Sequence, residues 1–309
     1  MYTQNIIDAL ERTPIIAATD SAGWEKAIMS DVEVLFHLSA NIMTIGNDIK
    51  KDKEHNKYIF VNIDLAEELL MDTVKINKNN TALIAHRGLS GIECENTAAA
   101  FVAAGNRSYF GIETDVHKTA DGKFIIIHDD NTGRVCAEDL SVENSNFDVL
   151  RKLRLNARDG KIREDLCLPS LEEYLRVCKT YDKIGVLELK NPFEKSDVEK
   201  ILEIVKNEYE TDKLIFISFD YNNLVYIKEL DNTATVQFLC GCPVDGALIE
   251  KLLKYGMDLD IYFSYLDEDA IKRLHDNGIK INCWTVDGKC DAERLTEWGI
   301  DYITSNILE

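Results

Sequence analysis

The chain has 309 residues, 45% of them hydrophobic and only 4 of them proline, which suits a packed globular fold and excludes a disordered one. Its 35 Lys+Arg against 55 Asp+Glu leave a formal net charge of −20, so a polyanion is repelled and no nucleic-acid partner is expected. No apolar run approaches the roughly eighteen residues of a membrane span. The opening MYTQNIIDALERTP lacks the basic start and apolar core of a signal peptide. Eight scattered cysteines without a C-x-x-C pair read as reduced thiols, and Cys240-Gly-Cys242 has no second cluster with which to hold a metal. A cytoplasmic protein is the expectation.

Residues 1–73 carry three short apolar runs, at Pro14–Ala18, Val32–Phe36 and Tyr58–Ile63, separated by helix-like stretches in a β-α-β-α-β pattern. TPIIAATD, VLFHLSANIMTI and FVNIDLAEELLMD are similar to the first third of the glycerol-3-phosphate-responsive antiterminator family. The later strands and phosphate site of that barrel are missing here. The segment holds 6 Lys+Arg against 13 Asp+Glu, so RNA binding is not expected of it. The resemblance implies an accessory α/β segment, with a homo-oligomer through it as one outcome. Residues 74–81 (VKINKNNT) are polar and turn-rich and read as a linker.

From Ala82 to Glu309 strand-like and helix-like stretches alternate. The strands are expected at Ala82–His86, Gly111–His117, Ile184–Lys190, Leu214–Phe219, Thr235–Leu239, Leu259–Ser264, Lys280–Val286 and Tyr302–Ser305. Helical stretches lie between them, which predicts an α/β fold, a parallel (β/α)8 TIM barrel. Asp121-Gly122 signals a hairpin, so Phe124–His128 is expected to return antiparallel. Residues 129–170 read as a polar, irregular insertion near the mouth.

In such barrels chemistry sits at the carboxyl ends of the strands. His86 and Arg87 end the first strand. Glu113, Asp115 and His117 alternate along the second and so share a face, as do Glu188 and Lys190 on the next. Glu113, Asp115 and Glu188 in one mouth repel one another unless a hard divalent cation, Mg²⁺ or Ca²⁺, lies between them; an internal salt-bridge network with Arg87 and Lys190 is the alternative. His86 and His128 are candidate proton carriers, because imidazole titrates near neutrality. His37, His55 and His275 fall outside this set. Arg87 and Lys190 are candidate phosphate binders. Asn96 and Thr97 open a helix and either cap it or help hold an anion. Phe219 closes the fourth strand, and Trp284 is an apolar wall for substrate or a core residue.

A-H-R-G at 85–88, E-N-T at 95–97, E-T-D-V at 113–116, H-D at 128–129, L-P-S-L-E-E at 168–173, E-L-K at 188–190, S-F at 218–219 and W-T-V at 284–286 form an ordered set. The set resembles the glycerophosphodiester phosphodiesterase family over residues 82–309. The resemblance implies metal-dependent cleavage of small glycerophosphodiesters to glycerol 3-phosphate and an alcohol. By position it implies Glu113, Asp115 and Glu188 as metal ligands, His86 and His128 as the acid–base pair, and Arg87 and Lys190 as the phosphate binders; Asn96, Phe219 and Trp284 are expected around the substrate from their places in the chain. Sphingomyelinase D and lysophospholipase D enzymes share the H-R-G and E-x-D pattern and give the rival substrate, a lipid phosphodiester. A glycerol-3-phosphate-responsive regulator is the rival from another class. The family's terminal T-D is replaced by Thr304-Ser305-Asn306, and DDNTGRVC lacks the usual leucine and threonines after His128. Neither departure is expected to touch a ligand or proton carrier.

Overall fold

The structure, a computed structural model, describes residues 72–157 and 162–309. The antiterminator-like reading of residues 1–73 therefore lies almost wholly outside the described residues. Among those described, eight parallel strands close into a barrel: β1 (Ala82–Ala85), β2 (Gly111–Lys118), β4 (Ile184–Leu189), β5 (Leu214–Ser218), β6 (Thr235–Cys240), β7 (Asp258–Tyr262), β8 (Ile281–Trp284) and β9 (Tyr302–Ser305). β1 pairs with both β2 and β9, which shuts the ring. The expected strands all form. β3 (Phe124–Ile126) runs antiparallel to β2, as the Asp121-Gly122 turn predicts, with Gly122 at a φ of 77°.

The helices are α1 (Ala98–Gly105), α2 (Phe147–Leu150), α3 (Leu171–Thr180), α4 (Lys195–Glu208), α5 (Tyr221–Leu230), α6 (Gly246–Leu253), α7 (Glu268–Asp276) and α8 (Lys289–Glu297). Polar side chains start many of them. Thr97, Asp220, Asp245 and Asp267 accept from free first-turn amides, and Ser170 with Glu173 forms a reciprocal capping box. Each cap satisfies donors that the helix cannot satisfy itself, at about 1 kcal/mol apiece. The main core lies between strands and helices; Phe216 on β5 and Phe101 on α1 are fully buried there. Truncating Phe216 to alanine would cost about 3–5 kcal/mol. A smaller cluster of Ile84, Val186, Ile215, Ile217 and Leu239 fills the barrel interior. Strands buried on both faces explain why these segments read as unbroken apolar runs.

Two readings need correction. The 129–170 insertion is not merely polar and irregular. Cys136, Val142, Leu150, Leu153, Leu155, Leu166 and Leu168 bury themselves with Ile125 and Ile127 as a second core. Its apolar residues follow neither helical nor strand spacing, so periodicity could not show it. Residues 74–81 are also not a free linker. Val74 bridges Leu308, the Ile76 amide donates to the Glu309 carbonyl at 3.1 Å, and Thr73 Oγ1 donates to Glu309 Oε2 at 2.7 Å.

Candidate active site

β2 delivers Glu113 and Asp115 to one face, and its neighbour β4 delivers Glu188 opposite Asp115 in register. Their relative exposures are 3, 1 and 7%, so water screens them little. One ligand oxygen from each lies within 4.8 Å of the others. Burial and Asp115 push Glu113 well above the usual carboxylate range, and the same two causes take Glu188 up to about 7. Burial pushes Asp115 up as well, but Arg87 and Lys190 overcome it and hold Asp115 below its ordinary value.

The salt-bridge alternative is present in part. Lys190 Nζ stands 2.9 Å from Glu188 Oε1 and 3.5 Å from Asp115 Oδ1, and Arg87 Nε is 3.6 Å from Asp115 Oδ2. Two cations face three carboxylates, however, and Arg87 is shared with Glu95. Lys190 is shared between Glu188 Oε1 and Asp115 Oδ1 as an ion pair without well-formed hydrogen bonds, so it does not satisfy both oxygens. Carboxylates in excess of their cations in an all-oxygen, converging set suit a hard divalent cation. Cysteine sulfur takes no part in the cluster.

The H-R-G turn after β1 is shaped by close contacts. Arg87 adopts a left-handed φ of 54°, and its amide donates to Glu113 Oε2 at 2.7 Å. Gly88 follows at a φ of 75°, where an added Cβ would meet the Ala100 backbone at 2.7 Å. Asn96 is also left-handed, at 53°. Left-handed non-glycine residues clustered in one loop mark a backbone held for a purpose. Asn96 was expected near substrate. Instead it is buried, with Nδ2 donating to Asp115 Oδ2 and Oδ1 accepting from Thr114 Oγ1, both at 2.7 Å. It orients a carboxylate, and Thr97 supplies the helix cap.

His86 Nδ1 lies 2.8 Å from Asn306 Oδ1, so Nδ1–H donates there and Nε2 carries the lone pair. Burial and the Arg87 charge lower His86 to about 4, so it is neutral near pH 7. Asn306 is fixed in turn by Asp287, which accepts from its side-chain amide at 2.6 Å and its backbone amide at 2.8 Å. The departure from T-D therefore does touch a proposed proton carrier, contrary to expectation. Barrel closure sets Ala85 beside Ser305 and so brings Asn306 to His86.

His128 follows β3, half-buried, with Nδ1 2.5 Å from Asp129 Oδ1. Burial lowers its titration point, against the pull of Asp115. His117 is fully buried, its Nε2 3.2 Å from the His128 carbonyl, which makes it a support for that turn. His275 pairs with Asp301 at 2.8 Å, apart from this cluster. A cavity of about 580 Å³ opens beside these groups, lined by His128, Asp130, Asn131, Arg134 and Lys190 among others. Phe219 is 48% exposed and stands edge-on to Trp284 with ring centroids 5.7 Å apart; Tyr262 flanks Trp284 at 5.6 Å. Glu95, Asp129, Arg134, Asp287 and Asn306 had no role assigned from sequence. Glu95 and Asp129 lay inside the E-N-T and H-D motifs, which was the available signal.

Carboxylates, cations and two histidines gather at the mouth of a TIM barrel, and the acidic cluster suits a divalent metal. Residues 86–308 match the model of the glycerophosphoryl diester phosphodiesterase family, and the chain belongs to that family. It is 28% identical over 230 residues to a glycerophosphodiester phosphodiesterase of Caldanaerobacter subterraneus subsp. tengcongensis, a match covering 73% of this chain and 94% of the relative. Among solved structures, an Oleispira antarctica phosphodiesterase in complex with the product sn-glycerol-3-phosphate superposes with a TM-score of 0.68 at 27% identity, covering 75% of this chain and 95% of that one. A glycerophosphodiester phosphodiesterase from Parabacteroides distasonis gives 0.63 at 26% identity, over 74% of this chain and 94% of that one. Among the described residues no helix is long and apolar enough to cross a membrane.

Proposed function

We propose that this protein hydrolyses glycerophosphodiesters to glycerol 3-phosphate and an alcohol, with His86 and His128 as the proton carriers. The observation that carries the reading is the buried, converging Glu113–Asp115–Glu188 cluster, set beside two histidines and two cations in a family of phosphodiesterases.

Glu113, Asp115 and Glu188 would hold Mg²⁺ or Ca²⁺, since both accept all-oxygen sites. When bound, the ion supplies a positive charge that favours the charge growing on the phosphoryl oxygens. Arg87 and Lys190 add positive charge beside the same mouth and bind the phosphodiester. His86, neutral and with Nδ1–H committed to Asn306, accepts at Nε2 the proton of the attacking water, or of the neighbouring glycerol hydroxyl, whose cyclic phosphate a water then opens to glycerol 3-phosphate. The bond from that oxygen to phosphorus forms as the bond to the leaving alkoxide breaks. His128, once protonated at both ring nitrogens and held through Nδ1–H by Asp129, delivers a proton to the alkoxide from Nε2. Phe219 and Trp284 wall the mouth on its apolar side.

The test is glycerol 3-phosphate release from glycerophosphocholine and glycerophosphoethanolamine with Mg²⁺, Ca²⁺ or EDTA, beside Glu113→Ala. Metal-dependent release that the variant lacks is the expected result. Release that survives EDTA and Glu113→Ala would overturn the carboxylate site. Activity on micellar lysophospholipid alone would move the substrate to the lipid class.

A further inference from the structure

We propose that Arg134 is a positioning residue that ties the phosphate-binding Arg87 to the proton carrier His128, and so sets the two in register across the mouth. The inference rests on the proposed function for its kinetic arm and on geometry alone for its spectroscopic arm.

Arg134 ends a 3₁₀ turn, Thr132–Arg134, in the insertion. Its Nη1 and Nη2 grip Glu95 Oε2 and Oε1 at 2.8 and 2.7 Å, and its Nε donates to Asp129 Oδ2 at 2.5 Å. The other side of each carboxylate faces the site. Glu95 Oε1 also accepts from Arg87 Nη1 at 2.8 Å, and Asp129 Oδ1 holds His128 Nδ1 at 2.5 Å. The path Arg87–Glu95–Arg134–Asp129–His128 is therefore continuous, and it spans the β1–α1 loop, the β3 exit and the insertion.

All three guanidinium nitrogens are engaged by carboxylates, one N–H from each, which fixes the plane of Arg134 at the cavity wall. Against the upward push of burial, Arg134 and His128 bring Asp129 down to about 2, and Arg134 and Arg87 lower Glu95. Both carboxylates are ionised and would repel each other without the guanidinium between them. With Arg134 removed, Asp129 loses the donor on its outer oxygen and is free to turn away from the imidazole. Glu95 is then free to draw Arg87 off the mouth. Lysine offers one compact charge in place of a planar fork and cannot satisfy both carboxylates in this geometry. The insertion core, which anchors the turn, thereby gains a role in the chemistry as well as in the fold.

The experiment uses the full chain as wild type, Arg134→Lys, Arg134→Ala, Asp129→Ala and Arg134→Ala/Asp129→Ala, with saturating metal and glycerophosphocholine. Expected for Arg134→Ala is a kcat loss of about 10–100-fold with KM changed far less, and lysine does not restore it. Millimolar guanidinium chloride recovers part of the lost kcat, whereas equal sodium chloride does not. The double variant loses less than the product of the two single losses, because both act on His128 through one path. In ¹⁵N-histidine spectra, His128 Nδ1 carries a strongly hydrogen-bonded proton in wild type, and its signal shifts in Arg134→Ala as the bond to Asp129 loosens. A loss confined to KM, fully additive losses, or a fall in Tm without guanidinium recovery would each overturn the proposal. If wild type itself releases no glycerol 3-phosphate, the function fails, and the His128 spectra still decide the clamp: an unchanged Nδ1 signal refutes it.

Discussion

Glu188→Gln should stabilise the metal-free protein, and increasingly so as pH rises. Burial and Asp115 raise the Glu188 carboxyl from 4.5 to about 7, so the folded state holds this proton more tightly than the unfolded chain does. Its contribution is fully present below pH 4.5 and is lost as pH rises through 7. At about 1.36 kcal/mol per pH unit, the loss between pH 5 and pH 8 comes to about 2–3 kcal/mol. For a domain of this size that corresponds to roughly 5–10 °C in Tm. His86 acts with the opposite sign: lowered to about 4, it favours the fold more as pH rises from 4 to 6.5. The raw slope of the wild type mixes the two, so the quantity to read is the variant's Tm minus the wild type's, measured in EDTA by scanning calorimetry. Glutamine mimics the protonated acid, and the difference should widen by roughly 5–10 °C from pH 5 to pH 8. Saturating Mg²⁺ or Ca²⁺ should stabilise the wild type at pH 8 and narrow the difference, since the ion takes the place of the missing protons. A difference that stays constant with pH in EDTA would mean that Glu188 ionises freely and that the crowding argument for a cation is wrong.

His86→Ala and His128→Ala should each lower kcat by about 10²–10⁴-fold with Tm nearly unchanged, and near-full turnover in either would end its acid–base role. Asn96→Ala frees the Asp115 oxygen it now holds and should weaken divalent-cation affinity by about 10–100-fold in calorimetric titration; an unchanged affinity would show that Asp115 needs no orienting partner. Gly88→Ala places a Cβ 2.7 Å from the Ala100 backbone at a left-handed φ, so a loss of about 1–3 kcal/mol is expected in denaturant titration. An unaffected midpoint would mean the turn relaxes without cost.

What could be read from the chain alone is local or periodic. Apolar runs alternating with helical stretches predicted the barrel because each strand is buried on both faces and each helix on one. The two-residue alternation along β2 set Glu113 and Asp115 on one face, and the place of His86, Arg87 and Lys190 at strand ends put them at the mouth. The H-R-G glycine was legible as a motif, though its reason, a left-handed turn pressed against α1, lay in the structure.

Tertiary structure decided the rest. Asn306 meets His86 across 220 residues only because the last strand closes on the first. Arg134 meets Glu95 across 39 residues because the insertion builds its own core and folds back over the β1–α1 loop. Sequence pattern reports which residues share an element face, since that follows from backbone geometry. It carries no record of which elements ring closure makes neighbours. Which residues gather at the mouth was therefore largely legible, whereas the partners that orient them depended on the closed barrel.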